Sequence, residues 1–217
     1  APDLPGHGDS ADATDPDRTY NMVGYADAMT EVLQVLGVEK AVVFGWSLGG
    51  HIGLEMSDRF PGLLGLMITG TPPVSAAQLG EGFKPSPHMG LAGQEVFSAE
   101  DVENYARSTA GEPFEPFMIG TVARTDGRAR RMMFEKLAMG VGRDQNALVA
   151  GKTPPIAVLN GLDEPFVNTD FVERVVFSNL WEGKKHVLDK SGHAPFWDSP
   201  DTFDQIFERF IVYMNTG

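Results

Sequence analysis

The motif G-W-S-L-G-G at positions 45–50 constrains the fold of this chain more than any other sequence feature. It follows an apolar run at 41–44 made of strand-forming residues, and it precedes residues 51–59, whose pattern is typical of a helix. A strand that passes into a helix through so short a turn is a hallmark of α/β sheets.

The turn also predicts chemistry at Ser47. Gly45 and Gly49 flank the serine, and we expect both positions to require a residue without bulk. The serine hydroxyl would then stand clear of the sheet at a helix N-terminus, whose partial positive charge favours an anion. The backbone N–H of Leu48 would face a developing oxyanion. The alternative interpretation is an ordinary glycine-rich connection between a strand and a helix.

The rest of the chain predicts an α/β fold with a mainly parallel sheet and helices on both faces. Apolar residues recur at helical spacing over 20–36, with Thr19 as a possible N-cap, and the last helix begins at Ser199-Pro200. Further predicted strands are 63–69, 155–160 and 185–188, and a further helix is 169–175.

The middle of the chain shows a different pattern. Residues 75–93 are rich in Gly, Pro and Ser and predict a loop, and helices without an intervening strand are predicted at 99–108, 114–125 and 128–139. This region is also rich in Met and Phe, which indicates a helical insertion with an apolar inner face. We therefore predict a core over 1–74, a helical cap over 75–150, and the second part of the core over 151–217.

Composition excludes several classes of protein. The 217 residues are 42% hydrophobic and 22% charged, as in ordinary globular domains, which excludes disorder, collagen and coiled coil as the main architecture. The net charge of −13 repels polyanions, so neither nucleic acid nor a membrane surface is expected as a partner. No apolar run is long enough to predict a transmembrane helix. The absence of cysteine excludes disulfides and thiolate chemistry.

A nucleophilic serine needs a base, and the chain has five histidines. His193 lies in S-G-H-A-P just after the last predicted strand, where the sites of α/β sheets gather. His186 lies inside that strand and is predicted to be structural, and His51 on the helix after the turn is predicted to support packing. His88 is expected to be solvated in the insertion loop, and His7 to line the edge of a pocket.

The base in turn needs an acid to hold its tautomer. Asp163 and Glu164 lie in N-G-L-D-E-P, where the penultimate predicted strand ends. Only one of these adjacent carboxylates can face His193, because neighbouring side chains in an extended segment point in opposite directions.

Taken together, the chain resembles the α/β-hydrolase fold family. The resemblance rests on D-L-P-G-H-G-D-S, G-W-S-L-G-G, G-L-D-E-P and S-G-H-A-P-F-W-D-S-P, which follow the family order of nucleophile, acid and histidine. In that family the acid commonly lies three residues after the Gly and often just before a Pro, which selects Glu164. Asp is commoner than Glu at that position, so Asp163 stays open as the alternative.

The start of the chain carries a separate expectation. Residues 1–10 contain no initiator Met and are predicted to be a Pro/Gly-rich loop that follows a strand. The resemblance implies that about fifty residues, with two or three strands, precede Ala1. Those residues would include the second oxyanion donor, so we expect the 217 residues alone to be impaired. We expect a cytoplasmic protein, with a removed signal peptide left open.

The resemblance also implies an activity. A serine in the turn argues against epoxide hydrolases and haloalkane dehalogenases, which have Asp there, and no H-x-H-x-D-H cluster is present, so neither a metal nor another cofactor is expected. The chain looks most similar to metal-independent N-acyl-homoserine lactonases. That similarity implies that Ser47, His193 and Glu164 act on a small-molecule lactone or ester.

Several roles stay open at this point. Trp46, Tyr105 and Met118 are candidate substrate-binding residues, although Tyr105 is equally well explained as a packing residue on an amphipathic helix. A general carboxylesterase, a cofactor-free haloperoxidase or perhydrolase, and a non-enzymatic receptor for a small hydrophobic ligand are the alternative functions. The sequence does not indicate an oligomeric state.

Overall fold

The structure is a computed structural model that describes residues 1–86 and 89–216. Its strands are β1 (Ala41–Trp46), β2 (Leu63–Thr69), β3 (Ile156–Gly161) and β4 (His186–Leu188). Its α-helices are α1 (Pro16–Thr19), α2 (Met22–Val35), α3 (Leu48–Met56), α4 (Leu79–Gly82), α5 (Ala99–Ala110), α6 (Phe117–Arg124), α7 (Gly127–Ala138), α8 (Gln145–Ala150), α9 (Thr169–Arg174), α10 (Pro195–Asp198) and α11 (Pro200–Thr216). Short 3₁₀ turns lie at Ala76–Gln78, Met89–Gly93 and Trp181–Gly183.

The four strands form a parallel sheet in the order β1-β2-β3-β4. Trp46 pairs with Thr69 at the carboxyl end of β1 and β2, and Gly161 pairs with Leu188 at the carboxyl end of β3 and β4. Because all strands run in one direction, the loops that follow them gather along one edge of the sheet. That edge carries every residue proposed for catalysis.

Both faces of the sheet are covered, as predicted. In β3, Ile156 and Val158 belong to a buried cluster with Leu54 of α3 and Val172 of α9. The alternate residues of the same strand point to the opposite face, where they pack with α11; this second cluster includes Ala157, Leu159, Phe203, Ile206 and Phe210. The strand is therefore apolar on both sides, which explains its uninterrupted apolar sequence.

Most predicted elements are confirmed within a few residues, and strand 63–69 is confirmed at both ends. The capping prediction at Thr19 is wrong, because Thr19 ends α1 and Asn21 caps α2 by accepting a hydrogen bond from Gly24 N. The helix after the motif begins at Leu48 rather than at His51. The loop predicted at 75–93 contains α4 and two 3₁₀ turns. Helices α1, α8 and α10 were not predicted.

The helices α4 to α8 lie between β2 and β3 along the chain. They contact the rest of the protein at defined points: Asp126 N donates to Gly6 O at 2.8 Å, and Lys84 N donates to Phe166 O at 2.7 Å. Their division from the core as a cap over 75–150 stays a prediction. Within the described ranges, none of the helices is long and apolar enough to cross a membrane.

Candidate active site

Ser47 occupies a strained backbone conformation between β1 and α3. Its φ of 52° and ψ of −117° lie outside the regions that a residue with a side chain normally adopts. Neighbouring groups hold this conformation: Ser47 N donates to Thr69 O at 2.8 Å, and Thr71 Oγ1 donates to Ser47 O at 2.8 Å. The sequence therefore places a serine where the backbone is forced to turn sharply at the edge of the sheet.

One of the two predicted glycine restrictions around the turn is found, and the other is not. A Cβ on Gly45 would collide with the backbone of α3, as expected. A Cβ on Gly49 would meet no atom within 4 Å, so the prediction that Gly49 must lack bulk is wrong. The third glycine of the motif, Gly50, is the restricted position, because a Cβ there would collide with the Thr71 side chain.

Leu48 is the first residue of α3, so its N–H has no acceptor within the helix. The helix dipole adds a partial positive charge at the same point. These properties suit an oxyanion donor, and that role stays a prediction.

His193 and Glu164 form a buried pair. His193 Nδ1 lies 2.9 Å from Glu164 Oε1 and 2.8 Å from Oε2, and only 6% of His193 and 2% of Glu164 is exposed. The N–H groups of Phe166 and Val167 also donate to Oε1, at 2.8 and 3.2 Å. Burial alone would raise the pKa of Glu164, but the hydrogen bonds from His193 and these two N–H groups hold that pKa below its usual value.

The structure distinguishes the two adjacent carboxylates. Glu164 contacts His193, whereas Asp163 is exposed and its backbone N–H donates to Ser191 O at 2.9 Å. Asp163 lies in the turn that follows β3 rather than in an extended segment, so the contact with His193 and the exposure of Asp163 are what separate the two residues.

The His193 ring lies beside the serine turn. Gly70 directly follows Thr69, the residue that binds Ser47 N, and a Cβ on Gly70 would lie 2.6 Å from His193 Cε1. Trp46 Nε1 donates to His193 O at 2.8 Å, which joins the histidine to the residue before the serine. Within the described part of the chain, no hydrogen bond joins the Ser47 hydroxyl to the His193 ring; such contacts often tighten only when substrate binds.

The remaining histidines lie elsewhere. His51 is buried and its Nδ1 lies 2.6 Å from Gln145 Oε1; desolvation lowers the pKa of His51 to about 4. His186 lies in β4 with its ring against Trp181. The His7 ring packs against the Tyr25 ring in a T-shaped arrangement, and the place of His7 at the edge of a pocket stays a prediction. His88 lies outside the described residues.

The candidate substrate-binding residues have identifiable packing. The Trp46 ring packs against His193, with the ring centres 5.6 Å apart. Tyr105 lies on α5 with its ring against Phe97, and Met118 on α6 is buried. Burial raises the pKa of the Tyr105 hydroxyl, so the group is a neutral hydrogen-bond donor at physiological pH. Contact with substrate stays a prediction for all three.

The sequence interpretation missed several groups around the histidine. Asn160 Oδ1 accepts from Gly70 N at 2.9 Å, and the Phe166 ring meets the His193 ring edge to face at 5.0 Å. Asp198 binds the loop that carries His193; its position within S-G-H-A-P-F-W-D-S-P was the available signal. Across 1–86 and 89–216, no three acidic or histidine side chains are grouped so that they could hold a metal ion.

Comparison with known proteins identifies the class to which this fold and site belong. Residues 1–206 match the alpha/beta hydrolase family, and the chain belongs to that family.

Among solved structures, the chain is similar to the N-acyl homoserine lactonase AidH in complex with N-butanoyl homoserine. The two are 64% identical with a TM-score of 0.96, and the match covers 98% of this chain and 77% of that one. Two further structures of that lactonase, at 63% and 64% identity, are a serine-to-glycine variant bound to N-hexanoyl homoserine lactone and a glutamate-to-glycine variant bound to N-hexanoyl homoserine.

Among curated proteins, the chain is 25% identical to a 2-hydroxy-6-oxononadienedioate/2-hydroxy-6-oxononatrienedioate hydrolase of Pseudomonas sp, over 87% of this chain and 69% of the relative. It is also 25% identical to a pimeloyl-[acyl-carrier protein] methyl ester esterase of Aromatoleum aromaticum, over 97% of this chain and 86% of the relative.

Proposed function

We propose that the protein hydrolyses the lactone ring of N-acyl-homoserine lactones with a Ser47–His193–Glu164 triad. The observation that carries this proposal is the buried contact between Glu164 and His193 Nδ1, made beside a serine held at positive φ. The 64% identity to a lactonase solved with N-butanoyl homoserine supports the substrate class.

The variants of that lactonase give independent support. The serine and the glutamate replaced in them are separated along their chain by the same number of residues as Ser47 and Glu164 are here. This agreement in spacing favours Glu164 over Asp163 as the acid.

The geometry suggests a sequence of proton transfers. An ionised Glu164 accepts hydrogen bonds only, so His193 carries its proton on Nδ1 and leaves Nε2 free as a base. In one route, Nε2 takes a proton from the Ser47 hydroxyl, whose oxygen attacks the lactone carbonyl. In the other route, Nε2 takes a proton from a water that Ser47 positions, and the water attacks the carbonyl. In either route the Leu48 N–H stabilises the oxyanion.

Ring opening follows from collapse of that oxyanion. The bond from the carbonyl carbon to the ring oxygen breaks, and His193 returns the proton to the departing alkoxide, which stays attached as the homoserine hydroxyl. In the covalent route a water then cleaves the Ser47 ester. Both routes add one water to the lactone and give an N-acyl homoserine.

The insertion supplies the acyl-chain contacts in this proposal. The apolar groups proposed for this role are Met118, which is buried on α6, and the ring pair of Phe97 and Tyr105; methionine adapts to irregular apolar ligands. Tyr105 is the candidate hydrogen-bond donor to the polar head of the substrate.

A substrate comparison tests the proposal. The native protein is assayed against N-acyl-homoserine lactones of increasing chain length and against p-nitrophenyl esters, with a chelator present. We expect kcat/KM to be highest for a lactone, and we expect a fluorophosphonate probe to label wild type but not Ser47→Ala. The matched control Ser98→Ala, at the exposed start of α5, should be labelled normally.

Two results would count against the proposal. Efficient hydrolysis of the p-nitrophenyl esters with no hydrolysis of the lactones would indicate a carboxylesterase. Tight binding of a lactone that is not cleaved would indicate a receptor.

A further inference from the structure

The loop that carries His193 is held by a carboxylate that the proposed triad does not include. Asp198 Oδ1 accepts from Ser191 Oγ at 2.5 Å, and Asp198 Oδ2 accepts from Gly192 N at 2.7 Å. One carboxylate thus binds the two residues that directly precede His193.

The same two residues are confined from the opposite side. Asp163 N donates to Ser191 O at 2.9 Å, and a Cβ on Gly161 would collide with the carbonyl groups of Ser191 and Gly192. Ser191 itself is only 1% exposed. The peptide between Ser191 and Gly192 therefore lies between the end of β3 and the Asp198 carboxylate, with little room to shift.

Helix α10 fixes the position of Asp198. The backbone N–H of Asp198 donates to Ala194 O at 3.0 Å. Pro195, at the first position of the helix, restricts the backbone that links α10 to His193. The neighbouring Trp197 Nε1 donates to Pro113 O at 2.7 Å, which attaches the helix to the turn between α5 and α6. The carboxylate is therefore presented by a short and well-attached segment.

We infer that Asp198 is a positioning residue that sets the location of the His193 imidazole relative to Ser47 by binding Ser191 and Gly192. The inference rests on the proposed function, because it gives His193 the role of base. Glu164 orients the ring through Nδ1, whereas Asp198 fixes the backbone from which the ring projects. A displacement of about 1 Å in such a group is enough to cost 10²-fold in rate.

Three variants of the native protein test this inference. Asp198→Ala removes both hydrogen bonds, Asp198→Asn keeps an oxygen acceptor for Gly192 N, and Ser191→Ala removes one bond without changing Asp198. The control is Asp204→Asn, an exposed carboxylate on α11. The measurements are kcat and KM for N-hexanoyl homoserine lactone, the rate of Ser47 labelling by a fluorophosphonate, and the thermal midpoint.

We expect Asp198→Ala to lower kcat and the labelling rate by roughly 10- to 100-fold while KM changes by less than about twofold. Asp198→Asn should recover part of the loss, Ser191→Ala should lie between Asp198→Ala and wild type, and the control should match wild type. A folded Asp198→Ala protein with wild-type kcat would overturn the inference, as would a rise in KM at constant kcat. If Asp198→Ala does not fold, a wild-type kcat in both Asp198→Asn and Ser191→Ala would overturn the inference.

The design separates this inference from the proposed function. Ser47→Ala is measured in parallel, and lactone hydrolysis that persists in it would refute the proposed triad. If Asp198→Ala keeps the wild-type kcat while Ser47→Ala loses activity, only the role of Asp198 is refuted.

Discussion

Glu164 binds His193 Nδ1 with both carboxylate oxygens, at 2.9 and 2.8 Å, while Oε1 also accepts from two backbone N–H groups. The backbone of the loop that carries Glu164 therefore determines which way its carboxylate faces. Since every donor in the arrangement favours the ionised carboxylate, the pKa of Glu164 lies below its usual value and its side chain has a defined orientation. This arrangement makes replacement of the acid by its amide an informative change.

Glu164→Gln should lower kcat by up to about 10⁴-fold, the loss seen when the acid of a serine protease triad becomes an amide. The amide oxygen would stay on the N–H groups of Phe166 and Val167, so the NH₂ group would face His193 Nδ1. The histidine would then have to carry its proton on Nε2 and could not act as a base. Steady-state kinetics on N-hexanoyl homoserine lactone measure the loss.

Asp163→Asn is the matched control, because it neutralises the adjacent exposed carboxylate. It should retain kcat close to that of wild type. A larger loss at position 163 than at position 164 would reassign the acid.

Gly70→Ala should impair catalysis through His193. The added Cβ would lie 2.6 Å from His193 Cε1, and Gly70 has a φ of +61° that favours glycine. We expect kcat to fall by roughly 10²-fold, because the His193 ring must shift from its present position. Gly80→Ala is the control, since a Cβ there meets no atom within 4 Å. Equal activity of the two variants would show that the ring has room that the structure does not indicate.

Trp46→Phe should lower kcat by roughly tenfold and leave KM nearly unchanged. The variant keeps an aromatic ring against His193 but leaves His193 O without its donor, so the backbone of the base loses one restraint. The kcat and KM values for the lactone distinguish this role from substrate binding. A rise in KM with constant kcat would mean that the indole contacts substrate instead.

His51 should make the protein less stable as the pH falls. Its pKa is about 4 when folded and near 6.5 when unfolded, so between these values the unfolded chain takes up a proton that the folded chain does not. The stabilisation by neutral His51 is thus complete above pH 6.5 and declines toward pH 4, by up to about 1.4 kcal/mol per pH unit. Urea denaturation at several pH values measures the free energy of unfolding.

His51→Asn is the comparison for that experiment, because its amide can still donate to Gln145 Oε1 but does not titrate. The free energy of unfolding of the variant should vary less steeply between pH 6.5 and pH 4. Parallel curves for the two proteins would show that His51 does not cause the pH dependence.

The parts that could be predicted from sequence were those with local signals. Strand 63–69 and the turn at 45–50 have dense apolar or glycine patterns, so neighbouring residues were sufficient to indicate them. The register of a family motif selected Glu164 over Asp163; Glu164 contacts His193, and its role as the triad acid stays a prediction.

The remaining features depend on contacts between distant segments. Trp46 and His193 are 147 residues apart in sequence, and the hydrogen bond between them has no local signature. The restriction at Gly50 arises from Thr71, which belongs to the loop after the next strand, so the motif alone suggested Gly49 instead. One-turn helices such as α10 are stabilised by tertiary contacts, such as the hydrogen bond from Trp197 Nε1 to Pro113 O, rather than by an apolar period.

Ser47 is the group proposed to open the lactone, and the proposed roles of His193 and Glu164 depend on it. The most direct measurement compares wild type with Ser47→Ala in hydrolysis of N-hexanoyl homoserine lactone, with chelator present and both proteins shown to be folded. We predict ring opening by wild type and a loss of at least about 10³-fold in kcat for the variant. Comparable turnover by the two proteins would contradict the assignment of Ser47 as the reacting group.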